Sequence, residues 1–118
     1  MKIRDIIGQE KATLSFEVFP PKKDTDFASV EAAALGIAAL RPSYMSVTYG
    51  AGGSTKGHTI KLANEIQEKY GVPTIAHLTC VCANKDSIRT ALFEMKNAGI
   101  ENILALRGAG VLQFAARK

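Results

Sequence analysis

Strand-like segments begin near residues 13, 44, 73 and 102, and the first three are each followed by a helix-like segment. Their separations, 31, 29 and 29 residues, match the length of one βαβ unit. Repeated βα units lay their strands parallel, because each crossover helix returns the chain to the same end of the sheet. The expected fold is therefore α/β, a parallel sheet covered by helices. Two architectures fit. One is the first half of a (β/α)8 barrel, since a complete barrel takes about 250 residues. The other is an open, flavodoxin-like sheet.

The elements follow from local signals. Thr13 to Phe19 is rich in residues that suit a pleated backbone, and Pro20-Pro21, lacking amide donors, stops it. Asp26 or Thr25 is placed to cap a helix over 27–40, with Val30, Ala33, Ala34, Ile37 and Leu40 as its buried face and Arg41-Pro42 as its end. Residues 44–49 form the second strand. A second helix over 55–70 buries Ile60, Ala63, Ile66 and Tyr70, with Gly71 as its cap. Residues 73–79 form the third strand. Asn84 or Asp86 caps a third helix with the stripe Ile88, Ala91, Leu92 and Met95, closed by Asn97-Ala98-Gly99, and 102–106 is the fourth strand. The first dozen residues suit a short amphipathic lead-in.

Composition narrows the function. A hydrophobic fraction of 47% supports a real core, and no apolar run is long enough to span a membrane. The first ten residues are too polar for a secretory signal, and Cys80 and Cys82 are too close for a disulfide framework. A cytoplasmic protein is expected. The net charge of +4 is scattered rather than gathered in a basic stripe, which argues against nucleic acid.

Polar residues recur at one end of every strand: Glu17, Thr48 with Tyr49, His77 with Thr79, and Arg107. In parallel α/β folds that end carries the active site. Glu17 is the only charge between Lys11 and Lys22. Among Phe16, Val18 and Phe19 it is expected to lose water, which favours the proton-donating form of a catalytic acid. A solvated strand-end glutamate fits the segment equally well. Residues 50–57 are glycine-rich but do not have the spacing of a phosphate loop; a plain turn is the simpler reading. His77, Cys80 and Cys82 have no second cluster beyond His58, so no metal is expected, and the thiols read as small buried groups.

Four segments occur in order and in register with the period: Ser15-Phe16-Glu17-Val18-Phe19-Pro20-Pro21, Ser46-Val47-Thr48-Tyr49-Gly50, His77-Leu78-Thr79-Cys80 and Ala105-Leu106-Arg107-Gly108. Together they closely resemble the N-terminal part of the bacterial-type methylenetetrahydrofolate reductases, from about Ile6 to Gly108. The resemblance implies a flavin-containing (β/α)8 barrel. In it NADH or NADPH reduces FAD, and the reduced flavin passes hydride to methylenetetrahydrofolate, giving methyltetrahydrofolate for methionine metabolism. It implies that Glu17 is the catalytic acid that opens the folate's imidazolidine ring. It also implies that Thr48 touches the nicotinamide or flavin and that Tyr49, His77, Arg107 and Gly108 contact the flavin.

The family continues with an aspartate where this chain has Ala109. Residues 109–118 read as an atypical tail of a single partial barrel domain over 1–118, as a truncation, a frame change or an engineered ending would produce. On this reading the 118 residues alone are expected to be inactive. The alternatives are a small-ligand binding module and a self-associating half-barrel. Two open strand edges and an apolar inner face favour pairing, so a homo-oligomer is expected.

Overall fold

The computed structural model describes residues 1–9, 11–21, 23–49, 56–80 and 83–107. Eight elements follow in the order α1 (Ile3–Ile7), β1 (Ser15–Val18), α2 (Phe27–Ala38), β2 (Tyr44–Val47), α3 (Lys56–Tyr70), β3 (Thr74–Thr79), α4 (Lys85–Asn97) and β4 (Asn102–Leu106). The four strands form one parallel sheet in the order β1-β2-β3-β4. Sequential order is that of a barrel being laid down strand by strand; an open flavodoxin-like sheet would reverse at its first strand. The fold is that of the first half of a (β/α)8 barrel.

Alternation divides each strand between two faces. Val18, Met45, Val47, Ala76 and Leu78 are buried in a core with Ala34 and Ala38 of α2, Leu62, Ala63 and Ile66 of α3, and Ala91 and Met95 of α4. Ser15 and Glu17, Tyr44 and Ser46, Ile75, His77 and Thr79, and Asn102, Leu104 and Leu106 belong by the same alternation to the other face. On that open face Leu104 and Leu106 remain 44% and 38% exposed.

Several local expectations need correction. On α2 the buried positions are Phe27, Ala34 and Ala38, with Val30 and Ile37 partly buried against the core, while Ala33 is exposed and Leu40 lies beyond the helix, also exposed. A 3-10 turn over Asp24–Asp26 precedes this helix, and Asp26 makes no side-chain cap bond. That turn already sets the entry geometry, so a carboxylate cap is not used. On α4, Ala91 and Met95 are buried but Leu92 is exposed. Cys80 is exposed rather than buried, because it follows the last residue of β3; Cys82 lies outside the described residues. Asn84 is a true cap, accepting from the Ser87 amide at 2.8 Å while Ser87 Oγ accepts from the Asn84 amide at 2.9 Å. Gly71 and Gly99 end α3 and α4 with φ of 64° and 77°, conformations that favour glycine.

The lead-in helix α1 is tied to the far end of the sheet. Asn102 Oδ1 accepts from the Ile3 amide at 2.9 Å, and its Nδ2 donates to the Met1 carbonyl at 3.0 Å. The α-amino group pairs with Glu101 at 3.1 Å.

Helices α2 and α3 meet through two carboxyls. Burial, and then the hydrogen bond and charge of Glu31, hold the Glu65 carboxyl above the usual range, against the opposing pull of Lys69 and Lys61. Its Oε2 is shut off from water and has no hydrogen-bond partner among the described residues. A raised folded-state pKa means that the folded chain binds this proton more tightly than the unfolded chain. The contribution is complete below the ordinary carboxylate range and is lost as pH rises through the raised value. Glu65→Gln should therefore be more stable than the parent at pH 7, seen as a higher Tm. The difference should vanish near pH 4. Thermal melts across that range check it; equal melting at pH 7 would contradict it.

Candidate active site

Two of the polar strand ends, Glu17 and His77, come together at the C-terminal end of the open face. Glu17 on β1 and His77 on β3 are two strands apart, yet Glu17 Oε1 lies 3.4 Å from His77 Nε2. The contact passes over Ser46 of β2, which is the register partner of Glu17. Ser46 is small enough to leave the gap open, and its hydroxyl donates to the same Oε1 at 2.8 Å. Both contacts fall on one oxygen, and among the described residues Oε2 is the carboxylate's uncommitted position. Ser46 begins the second of the four family-like segments, and its role comes from its place between Glu17 and His77. The signal was the alternation of β2, which puts a serine between two long polar side chains.

Of the two environments left open for Glu17, a dry one and a solvated one, the residue has the solvated one. Its side chain is 47% exposed, whereas that of His77 is 11% exposed. Phe16 and Val18 flank Glu17 in sequence, but alternation sends them to the opposite face of the sheet. Phe19, past the strand end, is itself 67% exposed and gives no cover. Within the described residues, then, Glu17 is a wet carboxylate held by two partners, not a dry one.

Thr48 follows β2, and its main chain is fixed on both sides. Its amide donates to the Val18 carbonyl at 3.0 Å, and its carbonyl accepts from the buried Thr59 hydroxyl at 2.8 Å. Tyr49 is not beside His77. It packs against the core on the helix side, where burial, and secondarily the charge of Glu94 on α4, raise its phenol above the ordinary value. Arg107 is exposed just past β4. It is not among the partners of Glu17 Oε1, which are Ser46 and His77. Gly108, Ala109 and the glycine-rich residues 50–55 lie outside the described residues.

The arrangement therefore holds a carboxylate with an imidazole beside it at the mouth of an open half-barrel. On the same face, Leu104 and Leu106 are register partners of His77 and Thr79. A carboxylate so held is placed to exchange a proton with a ligand lying on the face. The leucines offer an apolar surface for a flat ring.

Ser46 gives a direct test of this geometry. Ser46→Ala should cost at most about 0.5–1.5 kcal/mol, the worth of one hydrogen bond. Ser46→Leu should fill the gap and part Glu17 from His77. In NMR spectra the His77 imidazole resonances should then move to their positions in Glu17→Gln. Unmoved resonances in Ser46→Leu would show that the gap is not what lets the pair meet.

The family model described as methylenetetrahydrofolate reductase matches residues 2–114. The chain belongs to the methylenetetrahydrofolate reductase family. The family match passes Gly108, the last residue of the quoted motifs, and takes in part of the stretch read as a tail. The chain is 39% identical over 107 residues to methylenetetrahydrofolate reductase (NADH) 1 of Zea mays, covering 91% of this chain and 18% of that protein. It is 34% identical over 111 residues to 5,10-methylenetetrahydrofolate reductase of Escherichia coli, covering 89% of this chain and 38% of that protein. A similar likeness, 35% over 100 residues, holds for the enzyme of that name in Salmonella typhimurium, with 85% of this chain and 34% of that protein covered. The chain thus spans between about a fifth and two fifths of these relatives. Among the described residues no helix is long and apolar enough to cross a membrane.

Proposed function

We propose that these residues form the acid-bearing half of a flavin-dependent reductase barrel that converts methylenetetrahydrofolate to methyltetrahydrofolate. The observation that carries the reading is the contact of Glu17 with His77 and Ser46 at the strand ends, in a chain of this family. FAD would lie on the open face, where Leu104 and Leu106 offer its flat ring an apolar surface. His77, Thr48, Arg107 and Gly108 would hold its polar edges, and Tyr49 would support the Thr48 turn from the core side. When bound, the flavin supplies the two-electron carrier between nicotinamide and folate. Because the maize relative carries NADH in its name, NADH is the first reductant to test against NADPH.

Glu17 supplies the proton. Oε1 is occupied by the Ser46 hydroxyl and faces His77, so Oε2 is the oxygen that carries the proton to the folate's ring nitrogen. The remaining half of the barrel would cover this carboxylate and keep water away from the proton transfer. His77 then has two tasks, to orient the carboxylate and to lie against the flavin. A cytoplasmic setting fits a folate-dependent reaction.

The experiment follows the two half-reactions by flavin absorbance. The 118 residues are joined to the remaining strands of the Escherichia coli relative, with reduction by NADH measured first and reoxidation by methylenetetrahydrofolate second. Loss of the second alone on altering Glu17 supports the reading, and equal loss of both rejects it. A self-associating half-barrel is a second reading, favoured by the exposed Leu104 and Leu106 beside the edge strand β4. Solution mass of the 118-residue chain tests it: a dimer supports it, a monomer does not.

A further inference from the structure

The first turn of α3 touches the exits of two of the three strands that carry the site, β1 and β2. His58 Nδ1 lies 2.7 Å from the Pro21 carbonyl, beyond β1. Thr59 donates its hydroxyl to the Thr48 carbonyl, beyond β2, at 2.8 Å. A carbonyl oxygen can only accept, so Nδ1 of His58 must bear its hydrogen. The ring is steadied by Phe27, with centroids 5.2 Å apart, and Lys61 Nζ lies 4.5 Å from the centre of the Phe27 ring. Thr59 is fully buried, so its hydroxyl bond is sheltered from competing water. Thr48 is held from the other side by the Val18 carbonyl, one residue from Glu17.

We propose that His58 and Thr59 are positioning residues of the site, a two-point clamp through which α3 sets where the ends of β1 and β2 open onto the face. They touch no reacting atom. They act through Pro21 and Thr48, and so fix the direction in which Glu17 and Thr48 are presented. The significance for catalysis rests on the reading of that mouth as the flavin and folate side, but the clamp itself can be measured without either ligand.

The test uses amide hydrogen exchange and imidazole NMR on the 118-residue chain. Thr59→Val keeps the shape and removes the hydroxyl; Thr59→Ser keeps the hydroxyl. In Thr59→Val the Thr48 amide should exchange about tenfold faster while the Ala76 amide, in the centre of the same sheet, is unchanged, and Thr59→Ser should behave as the parent. Equal acceleration at Thr48 and Ala76 would mean a general loss of stability and overturn the clamp. So would an unchanged Thr48, or a serine variant that behaves as the valine one. Should Thr59→Val not fold, the parent chain still decides. The His58 imidazole should show a protonated Nδ1 whose hydrogen exchanges slowly, and an Nε2-protonated tautomer with bare Nδ1 would overturn the proposal. A chain that passes these tests but binds no flavin when its barrel is completed would overturn the cofactor reading and leave the clamp standing.

Discussion

Glu17→Gln, in the barrel completed with the Escherichia coli relative's remaining strands, is expected to reduce folate turnover by about 10²–10⁴-fold, the usual worth of a general acid. Reduction of the flavin by NADH is expected to stay within about twofold of the parent. The asymmetry follows from the chemistry. Hydride transfer from nicotinamide to flavin needs no proton donor for a folate nitrogen, whereas ring opening of the folate does. Glutamine keeps an oxygen for the Ser46 hydroxyl, which now reaches Glu17 Oε1 at 2.8 Å, so the side chain should stay in place while losing its proton. Flavin bleaching under NADH, then recovery of colour on adding methylenetetrahydrofolate, separates the two steps. Parallel loss in both would place Glu17 in flavin binding instead of in acid catalysis. Ser46→Ala should fall between parent and Glu17→Gln, because it loosens the acid without removing it.

Much of this arrangement was legible in the chain before any coordinates. The period near 30 residues predicts four parallel strands, and the structure has them at Ser15–Val18, Tyr44–Val47, Thr74–Thr79 and Asn102–Leu106 in sequential order. Period and polarity together place Glu17 and His77 at one end of the sheet. Their contact was not legible, because it depends on the register of three strands at once and on the small size of Ser46 between them. The environment of Glu17 stayed open between dry and solvated for a simple reason. Neighbours in sequence along a strand are on opposite faces, so Phe16 and Val18 say nothing about water at residue 17.

The other differences have equally local causes. Tyr49 follows Thr48 directly, yet it is packed with the core and near Glu94, so adjacent residues serve different sides of the sheet. On α2 the phase of the buried face is set by contact with α3, which selects Ala34 and Ala38 over Ala33 and the post-helical Leu40. His58 enters the sequence reading only as a spare metal ligand. Its bond to Pro21 spans 37 positions, and nothing in the local pattern around either residue announces it.

The 118 residues alone are expected to bind FAD at least about 10²–10³-fold more weakly than the same residues in a completed barrel. Cofactor pockets enclose about 70–90% of their ligand. Here the face beside His77 is open, with Leu104 and Leu106 still 44% and 38% exposed, so a ring laid on it keeps its outer side in water. One side of a flavin ring is about 150 Å², in the range an aromatic side chain buries. At roughly 25 cal/mol per Å² its burial is worth about 4 kcal/mol, near 10³ in affinity. Ala109→Asp should not recover that loss, since one carboxylate supplies no second wall. Fluorescence quenching on titrating FAD into the 118-residue chain, its Ala109→Asp variant and the completed barrel checks all three. The first two should stay near free-flavin fluorescence at concentrations that saturate the third. A yellow 118-residue chain after dialysis would show that the open face, or its pairing with a second copy, already encloses the ring.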